Sequence, residues 1–132
     1  MAATPLEQQR SRPLKTLVFT IFLMLQTQSP WLEKSPEERF AFLETTVKPI
    51  LVKHPDVSLR FFDSEFYNSR VTDVAVLETA NLDSYHSFVE DLRETPFWGR
   101  YFDVVEVIPS VENAYADHYE QEPVQGQGGT QP

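Results

Sequence analysis

At 132 residues the chain can bury one hydrophobic core but not two, and 41% hydrophobic with 13% aromatic residues marks it as globular rather than disordered. A net charge of −9 without any Lys/Arg cluster argues against nucleic acid and anionic membrane surfaces as partners, since phosphate recognition needs a basic footprint. The absence of cysteine excludes thiol catalysis, disulfides and thiolate metal sites, and it suits a cytoplasmic protein.

Residues 1–13, "MAATPLEQQRSRP", are polar and without period, and read as a disordered tail. The stretch "LKTLVFTIFLMLQT" (14–27) follows. Its apolar centre is too short to span a membrane and is rich in strand formers, so the expectation is a buried strand over about 15–26. In "SPEERFAFLETTVKPILVKHP" Ser35 is an N-cap, Pro36 fits the first helical position and Glu38 completes a capping box. Phe40, Leu43, Val47 and Ile50 supply the apolar stripe, and Pro49 is expected to kink or end the helix early.

Two strands, about 57–65 and 71–79, flank "FYNSR", with Asn68 and Ser69 as turn residues. A second helix starts from the cap Asn81, carries Tyr85, Phe88, Val89 and Leu92 on one side, and stops at Thr95-Pro96. The last strand is "FDVVEVIP" (102–109). Residues 118–132, with three of the four glycines, read as a second disordered tail, so the folded unit is 14–117.

The order βαββαβ predicts an α+β, ferredoxin-like domain: a four-stranded antiparallel sheet with two helices on one face. Several strands are apolar on both sides, and two helices cover only one. The bare side is expected to form a homodimer, sheet to sheet, because exposed apolar area costs about 25 cal/mol per Å².

The segments "LRFFDSEFYNSRVTDVAVLET", "LRETPFW" and "YFDVVEVIPSVENAYAD", extended by "PWL…ERFAFLETTVKPIL", resemble the darcynin family, small bacterial proteins related in shape to the dimeric α/β barrels. The resemblance implies the fold and the dimer. Dimeric α/β barrels include cofactor-independent monooxygenases, isomerases, cyclases and haem-degrading enzymes, and a shared fold does not choose among them.

The charged residues of "SLRFFDSEFY" (58–67) divide by strand alternation. Arg60, Phe62 and Ser64 share one face, while Phe61, Asp63 and Glu65 share the other. A turn centred on Ser69 sets Arg60 opposite Glu78 and Glu65 opposite Asp73. A turn centred on Asn68 sets Arg60 opposite Val76 and Asp63 opposite Asp73. Either register keeps Arg60 with Glu78. That pair reads as a cross-strand ion pair or as an anchor and base for an enolic or anionic substrate oxygen. Glu106, placed on the face of Val104 and Ile108, is the third member of a candidate catalytic set with Arg60 and Glu78. Phe62, His86, Trp98 and Tyr101 are the candidate substrate-binding residues.

Asp63, Glu65 and Asp73 form a possible acidic cluster, but no glycine-turned loop of carbonyls accompanies them, and solvated acids are the plainer expectation. His54, before Pro55, reads as a surface or capping residue. No histidine has zinc-ligand spacing, and there is no phosphate loop, nucleophile elbow or dinucleotide fingerprint. "SVENAYADHY" (110–119) is expected to leave the last strand as an arm around the partner.

These features point to a small-molecule binding protein or a cofactor-independent enzyme of isomerase, cyclase or monooxygenase type. It would act on an apolar, oxygen-bearing organic compound, a specialised metabolite by analogy with the fold's relatives. The alternative is a non-catalytic dimeric interaction protein. No cofactor is expected.

Overall fold

β1 (Phe19–Thr27) is the strand around which the rest is built, because it is apolar on both sides and therefore suits a central position. The computed structural model describes residues 17–126, so the N-terminal tail read over 1–13 and the last residues of the C-terminal one lie outside the described residues. The remaining strands are β2 (Ser58–Asp63), β3 (Asp73–Thr79) and β4 (Phe102–Ser110). They form one sheet in the order β2-β3-β1-β4, antiparallel throughout, which is the ferredoxin-like topology.

Ile21, Leu23 and Leu25 of β1 lie on the helix side and are fully buried with Ala75 and Leu77 of β3. The opposite side carries Phe22 and Met24, paired with Val76 and Val74 on β3 and with Ile108 and Glu106 on β4. No described helix covers that side at Phe62 or Ile108, which remain exposed.

Five helices are described: α1 (Ser29–Leu32), α2 (Pro36–Phe42), α3 (Lys48–Lys53), α4 (Leu82–Arg93) and α5 (Ala114–His118). The capping box of α2 forms as expected: the Glu38 amide donates to Ser35 Oγ (3.2 Å), and the Ser35 amide donates to Glu38 Oε1 (2.8 Å). Pro49 does not end the helix. The segment Leu43–Val47 widens into a π-turn in which the Lys48 amide reaches the Leu43 carbonyl, and helix then continues to Lys53. A wide turn ahead of a residue with no amide donor relieves the clash that proline makes with the preceding turn. The added residue also changes the phase of the stripe. Phe42 turns inward onto Trp31 and Tyr101, and Phe40, expected in the core, is 67% exposed.

α4 keeps its expected face, with Phe88 and Leu92 buried and Tyr85 and Val89 packed against them. Asn81 caps it through the Asp83 amide (2.9 Å). His54 is the C-cap residue of α3, the capping alternative read for it, with its amide on the Ile50 and Leu51 carbonyls, and its side chain is buried rather than at the surface. Its Nε2 lies 2.7 Å from Asp91 Oδ2 and its ring packs edge-on against Phe88, which ties α3 to α4. The His54 contact, followed by that of Lys53 at 2.9 Å, holds the Asp91 carboxyl below the usual carboxylate range.

The hairpin takes the register centred on Asn68, whose Oδ1 accepts from the amides of Arg70 and Val71 (both 2.9 Å). Gly99, at φ +89°, makes the turn between Trp98 and β4 in a conformation that side chains disfavour. Among the described residues no helix is long and apolar enough to cross a membrane, and the stretch weighed as a membrane span contributes β1.

Candidate functional site

The expected site residues fall in three places. Arg60, Phe62 and Glu78 come together on the open sheet face, where they line a shallow groove of about 340 Å³ with Thr20, Phe22 and Val76. Arg60 faces Val76 across the hairpin, and its guanidinium lies over the Phe62 ring at 5.0 Å. No ion pair joins it to Glu78.

Glu106 is on this face too, but opposite Met24 and outside the groove. Its expected companion Val104 is not with it. A bulge between Met24 and Leu25 of the β1–β4 ladder adds Val105 to one strand, so Val104 turns to the helix side and Glu106 to the open side. His86 is exposed on α4 and lines neither the groove nor the cleft described next. Tyr101 is buried against Trp31 (5.3 Å) and Phe42 (4.9 Å), and Trp98 lies under Arg93. These two close the core rather than wall either cavity.

On the helix side a cleft of about 660 Å³ opens between α1, α2 and the β2–β3 end of the sheet. That volume is of the size that takes a small organic molecule. Trp31, Phe61, Phe97 and Phe102 make an aromatic wall, with Phe102 in contact with the other three at ring separations of 5.2, 6.2 and 4.6 Å. Local structure explains the wall. The Gln28 amide donates to the Tyr101 carbonyl (2.8 Å), which seats α1 and brings Trp31 over the sheet. Arg39 then donates to the carbonyls of Trp31 (3.1 Å) and Leu32 (3.0 Å), clamping α1 to α2.

At one end of the cleft stand Asp63, Glu65 and Asp73, with one carboxylate oxygen of each within 4.8 Å of the others. Asp63 and Asp73 are direct cross-strand partners, an arrangement of like charges that costs stability. Asp73 is only 6% exposed. Its Oδ2 accepts hydrogen bonds from the hydroxyls of Thr27 and Thr72 (both 2.9 Å), and these hydroxyls contact each other at 2.8 Å. The Thr27 amide donates in turn to Thr72 Oγ1 (2.7 Å), so both ends of this network are anchored in neighbouring strands.

Burial pushes the Asp73 carboxyl above its ordinary range. The threonine hydroxyls work against that rise, and Asp63 and Glu65 add to it. No basic side chain figures among these influences.

Strand alternation puts Phe61, Asp63 and Glu65 on one side. The readable signal was there. Trp31, Phe97, Phe102, Thr27 and Thr72 as companions of the acids carried no local signal, because α1 and the β1–β3 ladder bring them in from distant parts of the chain.

The chain matches the Darcynin family, described as a domain of unknown function, over residues 7–127. A darcynin homolog of Granulibacter bethesdensis is 52% identical over 101 residues, covering 76% of this chain and 82% of the relative. One from Streptomyces avermitilis is 42% identical over 106 residues, covering 80% and 88%.

Among solved structures, an arginine-to-lysine mutant of chlorite dismutase from Candidatus Nitrospira defluvii superposes with a TM-score of 0.65 at 17% identity, over 87% of this chain and 48% of that one. A putative chlorite dismutase gives 0.54 at 10% identity, over 80% and 49%. The chain spans about half the length of these structures, and at such identities the likeness is one of fold.

The buried carboxyl makes a pH prediction with a definite sign. Because the folded-state pKa of Asp73 is raised, the native state holds this proton more tightly than the unfolded chain. Its contribution to stability therefore falls as pH rises from the ordinary carboxylate range through the raised pKa. Asp91, with a lowered pKa, acts below that range, where its contribution is lost as pH falls. Asp73→Asn keeps an oxygen for both threonines and removes the opposed charge. It should raise stability at neutral pH by about 0.2–1 kcal/mol, and the denaturation midpoint should lose part of its decline as pH rises above the ordinary carboxylate range.

Proposed function

The chain belongs to the darcynin family, and we propose that it binds a small, largely apolar organic molecule in the helix-side cleft, where Asp73 serves as a cofactor-independent proton donor or acceptor. The observation that carries this reading is the position of Asp73: a desolvated carboxyl, clamped by two hydroxyls, at the end of an aromatic cavity. A fold gains nothing in stability from such a group, and sites of this kind are where acid–base chemistry is found.

The ring of the ligand lies against Phe61 and Phe102, and its polar end meets the three carboxyls. Asp73 holds its proton to a higher pH than an ordinary carboxyl and can give it up to a substrate atom, as an isomerase or cyclase requires. Asp63 and Glu65, nearer solvent, supply oxygens through which the proton is exchanged with water. Leu43, the first residue of the π-turn, lines the same cleft, and π-turns often accompany functional sites.

A second reading rests on the groove beside Arg60. Its volume of about 340 Å³ also suffices for a ligand, and Arg60 and Glu78 provide a cation and a base on one face. This groove acquires walls when the open face meets a second copy of the chain. The face suits such self-association: exposed Phe62 and Ile108 offer apolar contact, and Arg60 of one copy can meet Glu78 or Glu106 of the other across a two-fold axis.

Ligand-observed NMR with a set of small aromatic compounds separates the two sites. The helix-side reading expects Phe61→Ala to weaken binding by about tenfold and Arg60→Ala to leave it unchanged; the reverse pattern moves the site to the groove. Analytical ultracentrifugation at micromolar concentration should find dimers that Phe62→Glu converts to folded monomers. A wild-type chain that sediments as a monomer throughout contradicts the self-association.

A further inference from the structure

We infer that the ligand of the helix-side cleft is an organic cation, an ammonium group carried on a flat apolar body. The inference rests on the cleft being a ligand site, as proposed above, and adds the sign of the ligand's charge.

Three observations lead to it. The first is the size and lining of the cavity. At about 660 Å³, walled by Trp31, Phe61, Phe97 and Phe102, it is far too large for a bare metal ion and is shaped by ring faces and edges. Aromatic faces carry negative electrostatic potential and attract cations, most strongly where water is excluded.

The second is the excess of acidic over basic side chains in the lining, three carboxyls against one guanidinium. Arg39 is the one basic residue lining the cleft among the described residues, and its Nε and a terminal nitrogen are engaged by the carbonyls of Trp31 and Leu32. The carboxyls of Asp63, Glu65 and Asp73 therefore set the sign of the cleft. An anionic ligand would be repelled by the ionised carboxylates there, and a neutral one would leave their negative charge uncompensated.

The third is the arrangement of the two features. The acids stand together and share the cleft with the rings, so a molecule with a charged head and a flat body can meet both. Phe61 and Asp63 alternate to the same side of β2, which places the first ring next to the first carboxylate. Asp73 joins that carboxylate from β3. A positive charge arriving there relieves the like-charge opposition of Asp63 and Asp73.

The test uses the full chain and three probes that share one ring and differ in charge: phenethylamine, phenethyl alcohol and phenylacetate, titrated at neutral pH by ligand-observed NMR. The amine should bind at least about tenfold more tightly than the alcohol, and phenylacetate should bind least. Asp63→Asn combined with Glu65→Gln, both at exposed positions, should cut the preference for the amine over the alcohol, and an undiminished preference overturns the cationic assignment. Equal binding of amine and alcohol, or preference for phenylacetate, overturns the cationic assignment while leaving the cleft a ligand site. Failure of every probe to bind overturns the cleft reading itself. Magnesium or calcium binding that the amine does not displace would assign the carboxyls to a metal and overturn the inference as well.

Discussion

The opposition of Asp63 and Asp73 across the β2–β3 hairpin is the constraint around which the helix-side cleft is organised. Two carboxylates directly across a ladder repel, and one of them is nearly without solvent. The structure answers with the hydroxyls of Thr27 and Thr72, and it reaches them by bringing β1 beside β3. The same pairing puts Leu25 and Ala75 under the helices and sets the floor of the cleft. Replacing Asp73 with a threonine or valine would satisfy the sheet at lower cost. A costly carboxyl held in place by a hydrogen-bond network beside an aromatic cavity is what motivates the acid–base role proposed for it.

β1 divides the molecule into two unlike sides. Toward the helices its side chains are sealed by α4 and by the irregular α2–α3 pair. Away from them, Phe22, Met24 and Val76 form an apolar floor with charged residues around it. The two cavities therefore differ in kind. The helix-side one is walled by this chain alone, whereas the groove beside Arg60 is shallow until something covers it. That contrast, more than any single residue, is why the first is taken as the primary site.

Much of this could be read from local patterns. The capping box at Ser35, the cap at Asn81, the turn at Asn68 and the stripe of α4 depend on neighbours a few residues away, and alternation in β2 separated Arg60 from Asp63 and Glu65 correctly. Other features escaped because they come from long-range fit. The bulge at Val105 reversed the parity that tied Glu106 to Val104. The π-turn before Pro49 shifted the helix phase and moved Phe40 out of the core. His54 is the helix-end residue the sequence suggested, but its burial against α4 and its Asp91 partner come from a distant part of the chain. The expected set of Arg60, Glu78 and Glu106 with His86, Trp98 and Tyr101 spans both sides of the sheet, so no single cavity can gather it.

The most direct test of this account is the titration of the individual carboxyl groups by carbon-13 NMR. Asp73 should titrate above the ordinary aspartate range, and its curve should move down when Asp63 is replaced by asparagine, as the neighbouring acid is lost. An Asp73 carboxyl that titrates as an ordinary exposed aspartate, indifferent to Asp63, would contradict the picture of a desolvated acid poised at the end of the cleft.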